Sequence, residues 1–104
     1  MPSDLVGDAL RACLRKQDFA GRYGGEEFFV ILPGSGLDAA LAIAERIKTT
    51  IGAAQVDMAG AKVSVTASVG VAPYLHGDGL ADWVGRADAA MYRAKQLGRN
   101  RVET

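Results

Sequence analysis

The residues best equipped for chemistry stand together at Arg22 to Phe28, Arg-Tyr-Gly-Gly-Glu-Glu-Phe. Gly24 and Gly25 lack Cβ atoms, so the backbone there can take positive φ and a phosphate can approach its N–H groups closely. Glu26 and Glu27 follow at once, hard oxygen donors suited to Mg²⁺. Phe28 to Leu32, Phe-Phe-Val-Ile-Leu, then reads as a buried strand closed by Pro33-Gly34. The chemistry implied is a phosphate and its metal held at the tip of a β-hairpin. A Gly-Gly pair also suits a plain type I′ turn; the carboxylates directly after it favour the nucleotide role over that simpler one.

Those carboxylates face a geometric constraint. Two-metal phosphoryl transfer needs several acidic groups converging on ions about 3.5 to 4 Å apart. Adjacent side chains of a regular strand point to opposite faces, so Glu26 and Glu27 serve one site only if the turn bends them together.

The elements that must position this hairpin are legible in the apolar pattern. Leu5 to Gln17 is expected to be helical, since Val6, Leu10, Cys13 and Leu14 recur at spacings of three and four, with Ser3 or Asp4 as its cap. A short link, Asp18 to Gly21, leads into the Gly-Gly hairpin. A second helix is expected over Leu37 to Ile51, with Leu37, Leu41, Ala44, Ile47 and Ile51 on one face and Gly52 ending it. Val56 to Met58 and Lys62 to Ala72 read as a hairpin, the second arm alternating strictly through Val63, Val65, Ala67, Val69 and Val71. Asp78 is placed to cap a last helix over Leu80 to Leu97, with Trp83, Val84, Ala87, Met91 and Ala94 as its buried stripe. Gly98 ends that helix, and Arg99 to Val102 can form a short closing strand. Without internal repeat or low-complexity tract, residues 1–104 read as a single α+β domain.

Composition narrows the partners. The 104 residues carry zero formal net charge, which argues against nucleic-acid polymers or acidic membranes held by bulk electrostatics. A single cysteine, Cys13, excludes an internal disulfide and points to the reducing cytoplasm, with the thiol most simply a small buried hydrophobe. No run reaches transmembrane length and no signal-peptide pattern is visible. His76 has no second histidine to share a metal, and Trp83 and Tyr92 read as packing residues rather than base-stacking platforms.

Five motifs in order complete the reading: Arg22 to Phe28, Ala44-Glu-Arg-Ile47, Thr66 to Ala72 (Thr-Ala-Ser-Val-Gly-Val-Ala), Ala87-Asp-Ala-Ala-Met-Tyr92 and Ala94-Lys-Gln-Leu-Gly-Arg-Asn100. In order and spacing they resemble the GGDEF domains, the diguanylate cyclases, over about residues 15 to 102, with Glu-Glu as a variant of the Asp-Glu signature. The resemblance implies a palm-like, ferredoxin-like fold with an antiparallel sheet and helices. It also implies two GTP-loaded protomers that meet face to face and make cyclic di-GMP with Mg²⁺. Gly24, Gly25, Glu26 and Glu27 would be catalytic, Glu26 and Glu27 metal ligands, and Lys95 and Arg99 phosphate holders. The last two also sit at a helix C-terminus, where cations complement the dipole, so capping is an equal alternative. The family's first strand, which carries a metal-binding aspartate, and the Asn and Asp that read guanine have no counterpart here. Aligned without gaps from the signature, Met1 falls inside the family's first long helix. The alternative register sets Gly7-Asp8 on the family's Gly-Asp and deletes about two helical turns. The expectation is a catalytically incomplete chain whose open strand edges favour a homodimer.

A second site is expected intact. Arg15-Lys-Gln-Asp18 is an Arg-x-x-Asp at the distance before the signature where the family carries its inhibitory, cyclic di-GMP-binding site, and Arg46 matches the family's secondary arginine. A carboxylate can accept from the two donors on guanine's Watson–Crick edge, while a guanidinium forks onto O6 and N7 or onto phosphate. The structural alternative is an i, i+3 helix-surface ion pair with Arg46 merely solvated.

Overall fold

A computed structural model describes residues 3–22 and 27–104. The elements run α1 (Ser3–Cys13), β1 (Phe19–Arg22), β2 (Phe28–Ile31), α2 (Leu37–Ala53), β3 (Val56–Met58), β4 (Ala61–Val63), β5 (Ser68–Gly70), α3 (Leu80–Gln96) and β6 (Arg101–Glu103). The fold is α+β, as the alternation of helical and strand periods requires.

The core is the seam between α1 and α2. Leu5, Val6, Ala9, Leu10 and Cys13 bury one stripe of α1, and Ile43, Ile47 and Ile51 supply the facing stripe of α2. Each large aliphatic side chain removed from water here contributes about 1.5–3 kcal/mol. Phe28, Val30 and Leu32 of the hairpin strand and Val65 and Ala67 further along are half-buried against the same cluster. The buried face of α2 is therefore Ile43, Ala44, Ile47 and Ile51. Leu37 at the helix start is a correction to the expected stripe, since it stays 37% exposed.

Hydrogen bonding among the described strands is confined to three two-stranded ladders. β1 and β2 pair antiparallel, with Phe19 opposite Ile31 and Gly21 opposite Phe29, and β3 and β4 pair antiparallel about the Ala59-Gly60 turn. β5 and β6 pair parallel, Ser68 with Arg101 and Gly70 with Glu103. This parallel pair stands beside the two antiparallel ones because α3 is the crossover that returns the chain in the same direction. The closing strand also lies later than Arg99 to Val102: Gly98, Arg99 and Asn100 all hold positive φ, which turns the chain out of α3 before β6 can begin.

The long alternating arm from Lys62 to Ala72 is not one strand. Residues 64–67 leave the ladder between β4 and β5, although burial still alternates, with Val63, Val65 and Ala67 half-buried and Lys62, Ser64 and Thr66 exposed. From Ser68 to Val71 the alternation ends and every residue is half-buried, as β5 packs on α3 and also contacts α2. Gly70 makes that approach possible: a Cβ there would lie 2.1 Å from the Ala87 carbonyl oxygen and 2.2 Å from the Met91 nitrogen. Ala90 and Ala94 are fully buried along α3. Tyr92, expected as a packing residue, instead faces solvent at 61% exposure.

Two helix ends differ from expectation. Asp78 does not cap α3; the N-cap is Gly79, whose N–H donates to Asp82 Oδ2 at 3.1 Å. Asp78 is drawn away by Arg86, which forks onto its carboxylate at 3.0 and 2.5 Å, and by the Leu75 N–H at 2.8 Å. The second correction concerns α1, which stops at Cys13 rather than Gln17 because the Arg15 N–H donates to Asp18 Oδ2 at 2.7 Å instead of continuing the helical ladder. The expected Ser3 or Asp4 cap involves side chains outside the described set.

Gly70→Ala is expected to destabilise the fold by about 2 kcal/mol or more through overpacking of β5 on α3, read as a fall in Tm of roughly 10 °C in thermal unfolding. An unchanged Tm would show that α3 can retreat without cost.

Candidate functional site

The turn that follows α1 carries the best-defined polar constellation among the described residues. Arg15 Nε donates to Asp18 Oδ2 at 3.1 Å and Arg15 Nη2 to Asp18 Oδ1 at 2.8 Å, a bidentate pair. The backbone closes the same turn, with the Asp18 N–H bonded to the Arg15 carbonyl at 3.0 Å. Arg15 and Asp18 are thus partners in a tight turn between α1 and β1, not neighbours on a helix surface.

Arg15 reaches further. Its Nη2 also donates to the Pro33 carbonyl at 3.2 Å and to Ser35 Oγ at 2.8 Å, which ties the α1–β1 corner to the turn between β2 and α2. None of the described hydrogen bonds uses Arg15 Nη1, and the side chain remains 39% exposed, whereas the Asp18 side chain has no exposed surface. The hydrogen bond from Arg15 is the main cause that holds the Asp18 carboxyl below the ordinary carboxylate range, and the same bond raises the Arg15 pKa. Arg86 holds Asp78 below that range in the same way.

Beside this pair lies a groove of about 490 Å³ between α1 and the β1–β2 hairpin. Arg11, Arg15, Lys16 and Asp18 line it together with Leu10, Leu14 and Phe28, and two of these cations are already paired, Arg11 with Asp8 and Arg15 with Asp18. A lining that mixes charged and apolar side chains suits a ligand with polar groups on a planar, stackable body.

The remaining sequence-derived residues are placed as follows. Gly24, Gly25 and Glu26 lie outside the described residues. Glu27 is half-buried just before β2. Carboxylates are the right donors for Mg²⁺, but among the described residues no three acidic, histidine or cysteine side chains converge to hold an ion. Arg46 is exposed on α2, and Lys95 is half-buried in the last turn of α3. Arg99, exposed, holds a left-handed φ of 64°. Cys13 is buried, with its sulfur 3.5 Å from Thr50 Oγ1, and His76 is exposed in a turn. Trp83 donates from Nε1 to the Ala72 carbonyl at 2.8 Å and meets Tyr74 edge-on, with ring centroids 5.4 Å apart. Sequence reasoning missed Pro33 and Ser35 as partners of Arg15, and it missed the Asp78–Arg86 pair. The first two lie 18 and 20 residues away and have no periodic signature.

The chain belongs to the GGDEF family: residues 4–101 match the family described as diguanylate cyclase, GGDEF domain. Diguanylate cyclase A of Treponema denticola is 43% identical over 98 residues, covering 93% of this chain and 26% of that protein, so the chain spans about a quarter of this relative. The GGDEF domain of DgcB from Caulobacter crescentus, solved in complex with c-di-GMP, superposes with a TM-score of 0.89 at 30% identity, covering 95% of this chain and 60% of that one. The active GGEEF domain of a diguanylate cyclase from Vibrio cholerae superposes with a TM-score of 0.81 at 28% identity, covering 97% and 66%. Among the described residues, no helix is long and apolar enough to cross a membrane.

Acid should unfold this protein partly through its arginine-paired carboxylates. Because the folded-state values of Asp18 and Asp78 lie below the ordinary 3.8, their stabilisation is full above that value. It is lost as the pH falls from there through the lowered folded values. Denaturant unfolding followed from about pH 6 to about pH 3 should show Asp18→Asn already less stable at the upper end and flatter toward the lower. Parallel curves for variant and wild type would remove the pair from the acid response.

Proposed function

We propose that this chain is a cyclic di-GMP-binding GGDEF domain whose ligand is read by Arg15 and Asp18, with Arg46 as a second guanidinium. The supporting observation is the turn itself, in which guanidinium and carboxylate are brought together beside a groove lined by both charged and apolar side chains. A guanine base offers complementary groups to both, acceptors at O6 and N7 for Arg15 and donors on its Watson–Crick edge for Asp18. The likeness to a DgcB domain solved with c-di-GMP supports the same ligand class. Lys95 and Arg99 would meet phosphate, and the protein would work in the cytoplasm as a homodimer.

A second reading is favoured by the diguanylate cyclase relatives. In it, two GTP molecules become cyclic di-GMP and two pyrophosphates, each 3′-oxygen attacking the α-phosphorus of the other nucleotide. Gly24 and Gly25 would let the phosphates approach the backbone, and Glu26 and Glu27 would hold Mg²⁺, which lowers the pKa of the attacking hydroxyl and offsets charge on the leaving pyrophosphate. We rank binding first for this chain because the acidic set identified in it is small for two-metal chemistry.

Calorimetry with cyclic di-GMP should give a binding heat for the wild type and an affinity at least about tenfold weaker for Arg15→Ala, the loss of one charge-assisted contact. Equal heats would remove the site assignment. Incubation of the chain alone with GTP and Mg²⁺ should leave GTP unconverted by chromatography, and cyclic product would promote the cyclase reading instead.

A further inference from the structure

The Arg15–Asp18 turn has a feature that its binding role does not explain. Asp18 has no exposed side-chain surface, and what covers it is the guanidinium that should share a ligand with it. Its Oδ2 already accepts from the Arg15 N–H and from Nε, and its Oδ1 accepts from Nη2. A guanine edge cannot reach that carboxylate while Arg15 stays where it is. Arg15 in turn is held from the far side by the Pro33 carbonyl and the Ser35 hydroxyl, 3.2 and 2.8 Å from Nη2.

We propose that Ser35, with the Pro33 carbonyl, is a latch that keeps Arg15 closed over Asp18, so that Ser35 sets the affinity of the site without touching its ligand. The inference rests on the cyclic di-GMP reading of this turn. Nη2 has two hydrogens and three acceptors, Asp18 Oδ1, Pro33 O and Ser35 Oγ, so one hydrogen is shared in the closed arrangement, and the Ser35 contact at 2.8 Å is as short as the one to Asp18. Opening requires these contacts to be exchanged for ligand contacts, and the apparent dissociation constant rises by the inverse of the open fraction. Of the two latch contacts, the serine hydroxyl is the shorter and the one a substitution can remove. The backbone of its turn stays closed without it, because the Ser35 N–H donates to the Leu32 carbonyl at 3.2 Å. The latch also lies one residue before Gly36, the N-cap of the helix that carries Arg46, so it joins the loop bearing the first arginine to the element bearing the second.

Titration of the full chain with cyclic di-GMP tests this on the wild type, Ser35→Ala and Ser35→Thr. Ser35→Ala should bind about threefold tighter or more, as the open fraction grows, and Ser35→Thr, which keeps the hydroxyl, should match the wild type. Unchanged or weaker binding by Ser35→Ala, with Arg15→Ala still at least about tenfold weaker than the wild type, would overturn the latch and leave the site reading standing. Solvent exchange of the Arg15 Nε–H by NMR, without ligand, gives an independent measure. Faster exchange in Ser35→Ala supports the closed contact even if no variant binds cyclic di-GMP, the result that would sink the site reading alone. Equal exchange rates would overturn the latch.

Discussion

Everything else in this protein hangs on the apolar seam between α1 and α2. Leu5, Val6, Ala9, Leu10 and Cys13 meet Ile43, Ile47 and Ile51 there, and the hairpin strand joins by laying Phe28, Val30 and Leu32 against the same cluster. The strands themselves are short and paired only two by two. Isolated two-stranded ladders are marginal in water, so the described strands depend on the helices beneath them rather than on hydrogen bonds between ladders.

That dependence explains where the site can be built. The chain must leave α1 at the seam's edge and re-enter as β1, and the reversal is made by Asp18 taking the Arg15 N–H that the helix would otherwise use. The same carboxylate fixes the guanidinium, which then spans to the β2–α2 turn. One acidic side chain thus ends a helix, orients an arginine and braces two corners of the fold. The paired guanidinium is not sealed by these contacts, since the Arg15 side chain remains 39% exposed.

The opposite half is organised by a different constraint, the close approach of β5 to α3 across Gly70. With Ala90 and Ala94 fully buried, the helix comes near enough to act as crossover for the parallel β5–β6 pair. Around its start, Arg86 holds Asp78 and the Pro73 carbonyl while Trp83 holds the Ala72 carbonyl, so the 72–79 loop is fastened to α3 at several points. Both halves use one device, an arginine that forks onto an aspartate and also bonds a loop carbonyl.

The sequence by itself determined the three helices, the Phe28 strand and the membership in the GGDEF family, because helical periodicity and an ordered set of motifs are local signals carried in one chain segment at a time. It also offered Arg15, Asp18 and Arg46 as candidates, since spacing from a signature is read along the chain, and the structure pairs the first two. Only the tertiary structure decided that α1 stops at Cys13, that the Lys62 to Ala72 arm breaks after β4, that Asp78 pairs with Arg86 instead of capping, and that Pro33 and Ser35 grip Arg15. Each of these is a competition for a hydrogen-bond donor or for packing space between residues distant in sequence, and the winner depends on which of them the fold brings within reach.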